Sequence, residues 1–173
     1  MALYALGDLE PTIDPDAFVH PDCTIIGNVV IGPGATIWPQ AVLRGDQSRI
    51  VVGARTSVQD GAVIHCTRHL ETIIGADCTI GHLAHLEGCT IEDGALVGTG
   101  SIVLHEAIVR TGALVGAGAL VPGRMEVPSG AMALGVPARI KEGAVVPEQI
   151  TYPAREYAKN AVRYRENLRR IDG

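Results

Sequence analysis

The residues of this chain whose types and spacing could do chemistry are two histidines and a glutamate: His65, His82 and Glu87. Imidazole nitrogens and carboxylate oxygens are donors that zinc accepts, and two histidines with one glutamate form a ligand set used by catalytic zinc sites. His65 follows Ile64 and Glu87 follows Leu86, two aliphatic residues 22 positions apart. A shared cation therefore requires a fold that returns to the same face after 22 residues. His85 lies on the same segment as Glu87 and faces the same way, so it is the alternative third donor, although it does not stack on His65 as Glu87 does.

A six-residue beat supplies that fold. Aliphatic residues recur at Ile25, Ile31, Ile37 and Leu43, at Val52, Val58 and Ile64, at Ile74, Ile80 and Leu86, and from Ile91 through Val97, Val103, Val109, Val115 and Val121 to Val127. Small residues such as Ala35, Ala62, Cys78, Ala84 and Ala95 follow four places later. Neither a helical nor an alternating period fits. Short flat strands, each turning one branched side chain inward and separated by tight corners, do fit. The expected class is all-β: a parallel β-helix of hexapeptide repeats over residues 1–140, then a connecting segment and a C-terminal α-helix within 141–173. That helix is expected from about Ala154 to Ile171, with Tyr157, Ala161, Tyr164, Leu168 and Ile171 forming one apolar stripe.

Three hexads make a coil, so the 22-residue step from Ile64 to Leu86 is one coil plus a four-residue insertion. Coils stack at strand spacing, roughly 4.8 Å. His65 and Glu87 should then lie one above the other, both pointing outward. His82 is placed near a corner, two residues after Ile80, and does not easily reach the same point within one chain. It can reach the equivalent point on a neighbour in a threefold ring. The beat skips between Leu43 and Val52 and again between Ile64 and Ile74, and the run from Cys66 to Thr72 reads as an extruded loop.

Composition narrows the function classes. Aromatic residues make up 3% of the chain against 47% hydrophobic residues, which suits a narrow prism filled by Val, Ile and Ala. A net charge of -5 argues against a nucleic-acid partner. No apolar run approaches the roughly 20 residues that span a bilayer, and the start of the chain does not read as a secretory signal. The four cysteines show no paired spacing and read as free thiols of a cytoplasmic protein. His20, His69 and His105 read as structural.

In combination, Arg44-Gly45-Asp46, Val58-Gln59-Asp60-Gly61, Ile64-His65 and Ile80-Gly81-His82 through Gly88-Cys89 resemble the γ-class carbonic anhydrase family. The resemblance runs over essentially the whole chain and implies a left-handed β-helix and a homotrimer. It implies three zinc or iron (Fe2+) sites between subunits, each held by three histidines, and a metal-bound hydroxide that hydrates CO2 to bicarbonate. His65 and His82 match two of those ligands. At the third, just before Gly88-Cys89, this chain carries Glu87, an anionic ligand that weakens the activation of water. The resemblance further implies Arg44 and Asp46 in ion pairs across the subunit boundary, supported by Asp60. It gives Gln59 a hydrogen bond to the bound water or bicarbonate and sets Tyr164 near the site mouth. Ser57 stands where many relatives have asparagine. Two other functions compete: an acyltransferase or thioesterase acting on a coenzyme A ester, and a non-catalytic trimeric scaffold, which Glu87 favours.

Overall fold

A computed structural model describes residues 1–172. The chain winds into a parallel β-helix whose coils bring each inward aliphatic over its counterpart. Leu43 pairs with Ile64, Ile64 with Leu86, Leu86 with Val103 and Val103 with Val121. All five are fully buried. The small corner residues Ala35, Ala62, Cys78, Ala84 and Ala95 are equally buried, because the corners of so narrow a prism leave no room for a larger side chain. All four cysteines are free and buried, and burial pushes the Cys78 thiol up to about 11.

Two faces of the prism are joined into one twelve-stranded sheet, and the third face is an eight-stranded sheet. The joining is done by strands Thr24–Ile31 and Val42–Val52, which run through a corner without a break. Sequence spacing suggests a loop between Leu43 and Val52, but the insertion is absorbed inside the strand. Its pairing jumps from Gly27–Gly45 to Val29–Ile50, so Asp46 to Arg49 bulge outward from a continuous ladder. Glycine is required at 45, since a Cβ there would meet the Asn28 carbonyl oxygen at 2.4 Å. The second break is indeed a small loop, closed by an antiparallel bridge between Thr67 and Leu70.

The helix spans Pro147–Asn167, starting and ending earlier than its apolar spacing suggests. Pro147 opens it at a position where a missing N–H costs nothing, and the Gln149 side chain accepts the Val146 N–H at 3.0 Å. Pro153 lies inside the helix. Leu168 and Ile171 fall beyond the helix and are exposed, so the buried stripe is shorter than expected and begins earlier, at Ile150. The helix packs on its own chain, against strands Thr36–Ile37, Ser57–Val58 and Thr79–Ile80 of the eight-stranded sheet. Tyr157, Ala161 and Tyr164 dock there onto Phe18 and Trp38. Among the described residues no helix is long and apolar enough to cross a membrane.

Ion pairs run between coils along the outside. Arg110 donates to Glu92 at 2.6 Å and to Glu126 at 2.9 and 3.0 Å. Those hydrogen bonds, with help from the Thr111 N–H at Glu92, hold both carboxyls below the usual value of 4.5. A depressed folded-state value contributes stability above the unfolded value and loses it as pH falls through the folded one. Arg110→Ala should therefore flatten the loss of stability on acidification below about pH 4.5. Urea midpoints measured across pH would show the difference, and 1 M salt should shrink it because these groups face solvent.

Candidate metal centre

The outward face of strands Val42–Val52, Val63–His65 and His85–Glu87 carries a column of charged and polar side chains. Arg44 is in register with His65, and His65 with Glu87. The stacking expected from the 22-residue step is realised: His65 Nδ1 lies 2.7 Å from Glu87 Oε1. His65 Nε2 lies 3.0 Å from Asp46 Oδ1, and the other Asp46 oxygen pairs with Arg44. The bulge in the long strand is what swings Asp46 over His65. Both ring nitrogens thus face carboxylates, and both contacts are hydrogen bonds only when each nitrogen carries a proton.

Thr72, fully buried, ties the two rungs together. Its hydroxyl donates to the His65 carbonyl and accepts the Gly88 N–H at 2.8 Å. The loop from Cys66 to Thr72 therefore returns directly to the site it leaves.

Glu87 is surrounded by imidazoles. Beyond His65, His105 Nε2 is 3.3 Å and His85 Nε2 is 3.7 Å from Oε2. Partial burial opposes the Glu87 charge, but the hydrogen bond and charge of His65, followed by His105 and His85, overcome it and hold the carboxyl below its usual range. Asp46 is depressed likewise: burial opposes its charge, and Arg44 and His65 outweigh that. His105, read from the sequence as structural, belongs to this cluster. Coil counting does not find it: this coil is 17 residues long, Leu86 pairs with Val103, and the register sets Leu104, not His105, opposite Glu87.

His82 is elsewhere. Its Nδ1 lies 2.9 Å from Asp60 Oδ2 and its Nε2 3.1 Å from the Tyr157 hydroxyl. The Asp60 contact is ionic in kind, and Nε2 accepts the Tyr157 proton when His82 carries its own proton on Nδ1. Burial, then the Asp60 charge, pushes the Tyr157 phenol up, which keeps it a donor. His82 and Tyr157 line a groove of about 370 Å³ with Gln59, Gln149 and the face of Leu96 and Leu114. Among the described residues, no three His, Cys, Asp or Glu donors of one chain are gathered around a single metal position. Within one chain Asp60 sits with His82, apart from the Arg44–Asp46 pair.

Residues 10–45 match the bacterial transferase hexapeptide (six repeats) family. The chain is 40% identical over 161 residues to γ carbonic anhydrase 2, mitochondrial, of Arabidopsis thaliana, covering 90% of this chain and 57% of that protein. It is 34% identical over 171 residues to the carnitine operon protein CaiE of Salmonella agona, covering 97% of this chain and 86% of that one. The crystal structure of a hexapeptide transferase family protein from Anaplasma phagocytophilum superposes with a TM-score of 0.90 at 35% identity, over 94% of this chain and 98% of that chain. The chain belongs to the hexapeptide-repeat family, with γ carbonic anhydrases and CaiE among its relatives. It spans little more than half the length of the Arabidopsis relative.

Within one chain, the residues implied by the family resemblance divide into two groups. Arg44, Asp46, His65, Glu87 and His85 share one face; Gln59, Asp60 and His82 meet at the groove under the helix. Tyr164 joins neither, since its ring packs 5.1 Å from Trp38 and 6.2 Å from Phe18. Tyr157, seven residues earlier, is the tyrosine that touches a candidate ligand. No sequence signal distinguished them, because both lie on one helical stripe. Ser57 is buried beneath the helix and accepts the Trp38 indole N–H at 3.1 Å, which gives it a packing role.

Proposed function

We propose that this protein is a γ-carbonic anhydrase-like metalloenzyme that hydrates CO2 to bicarbonate as a homotrimer, with each site formed by His65 and Glu87 of one subunit and His82 of the next. The observation that carries this reading is the His65–Glu87 rung, two zinc-type donors in register on one outward face. One chain alone leaves the donor set incomplete, which favours a site completed by a second copy.

The donor chemistry fits zinc or ferrous iron. His65 Nδ1 and Glu87 Oε1, 2.7 Å apart, would hold the ion once the proton between them is given up. A bound ion would supply the Lewis acidity that yields hydroxide from water near neutral pH. Glu87, being anionic, makes that acidity weaker than three neutral imidazoles would. Asp60 places a carboxylate 2.9 Å from His82 Nδ1, which favours the proton on that nitrogen and leaves Nε2 as the donor atom once Tyr157 yields it. Gln59, buried at the groove, offers an amide to a substrate or product oxygen.

Protein purified anaerobically without chelator should carry about one zinc or iron per chain, by elemental analysis. Its CO2 hydration, followed by stopped-flow, should disappear on chelation and return with added metal. Trimers that hold no metal and refuse it would overturn this reading in favour of a scaffold or a transferase.

A second reading has its own observation. The Asp60–His82 pair, opening onto the groove under the helix, is also the arrangement of a general base. Acyl transfer from a coenzyme A ester would use it so. Calorimetric binding of coenzyme A to metal-free protein, lost in His82→Ala, would favour this reading over hydration.

A further inference from the structure

Glu87 differs from a histidine ligand in two respects. It brings a full negative charge, and it brings two oxygens where an imidazole brings one nitrogen. To serve as a single well-placed donor it needs its second oxygen occupied and part of its charge drawn off. The structure holds a group in that position. Glu87 Oε1 faces His65, while Oε2 faces His105 Nε2 at 3.3 Å and, at a longer distance, His85 Nε2 at 3.7 Å. The two oxygens are therefore already sorted, one toward the candidate metal and one away from it.

His105 reaches Oε2 from the next coil because the backbone lets it. Gly88 sits at φ +60 with no side chain, and a Cβ there would lie 3.1 Å from His105 Cδ2. The His105 ring thus rests over the glycine that follows Glu87. Its backbone is pinned from the coil beyond, where the Arg124 N–H donates to the His105 carbonyl at 2.9 Å. An imidazole with its backbone held and its ring seated on Gly88 occupies a defined place although its side chain is about half exposed.

We infer that His105 is the positioning residue of Glu87: standing 3.3 Å from Oε2 in ionic contact, it draws that oxygen aside, leaves Oε1 as the sole donor, and lessens the charge by which a glutamate differs from a histidine at this position. The inference rests on the metal-site reading above. Groups in this relation to a ligand typically set metal affinity by 10- to 100-fold. His85 faces the same oxygen from farther away and is a lesser contributor.

The test is zinc affinity, measured by competition with a chromogenic chelator, for the full-length protein and for His105→Ala, His105→Gln, Glu87→His and the double variant Glu87→His/His105→Ala. Loss of His105 should weaken zinc binding about 10- to 100-fold, and His105→Gln, which keeps an N–H donor, should recover most of it. With histidine at 87 there is no second oxygen to hold, so adding His105→Ala should change affinity less than about twofold. The unfolding midpoint of the metal-free protein should not move with His105→Ala, which separates positioning from packing. Equal zinc affinity in the parent and His105→Ala, or the same loss in the Glu87→His background, would overturn this inference alone. A parent protein that takes up no zinc would overturn both this inference and the metal-site reading.

Discussion

His65→Ala and His82→Ala should each abolish tight zinc binding, and refolding the two variants together in equal amounts should restore about a quarter of the sites. The arithmetic follows from a site that takes His65 and Glu87 from one chain and His82 from the next. Random mixing makes about three trimers in four mixed, and every mixed trimer has one intact interface out of three. Each pure variant lacks a ligand at every site. The expectation follows from the positions of the donors. His65 and Glu87 share a rung, while His82 is held by Asp60 and Tyr157 in the groove under the helix. Zinc per chain after mixing is the readout. If the mixture binds no more than the pure variants, the site is not shared between chains. Glu87→Ala mixed with His65→Ala provides the internal comparison, because both losses fall on the same side of the interface and no mixture should recover.

Leu86→Ala should cost about 2–5 kcal/mol of folding stability, the range for deleting a fully buried leucine whose surroundings relax little. Leu86 is fully buried between Ile64 below and Val103 above. A β-helix coil touches only its neighbours, so the cavity cannot be filled by a shift elsewhere in the core. The same strand presents Glu87, so the destabilised coil is also the one that holds the candidate metal ligand. The paired control is Val63→Thr on the outward face, 40% exposed, which should change stability by no more than about 0.5 kcal/mol. Urea denaturation of metal-free protein reads both. A loss below about 1 kcal/mol for Leu86→Ala would mean that the coils repack more freely than close packing allows.

What could be read from the sequence alone was whatever repeats. The six-residue beat determined which side chains point inward, and with them the register of Ile64 on Leu86 and of His65 on Glu87. Within a solenoid, residues one coil apart must be neighbours, so counting along the chain is enough to find them. The same counting misses His105, because one coil on from Glu87 the register arrives at Leu104, and the His105 ring comes to Glu87 from the following position. The tertiary structure alone decided contacts between parts that do not repeat. The bulge at Asp46 depends on how a strand absorbs extra residues at a corner, and its direction brings a carboxylate onto His65. The helix is 75 positions from His82 along the chain, and which tyrosine meets that histidine is decided by how Phe18 and Trp38 seat the helix. Tyr157 and Tyr164 share one stripe and one chemistry, and only the docked position of the helix on the sheet sends one to His82 and the other into the aromatic cluster.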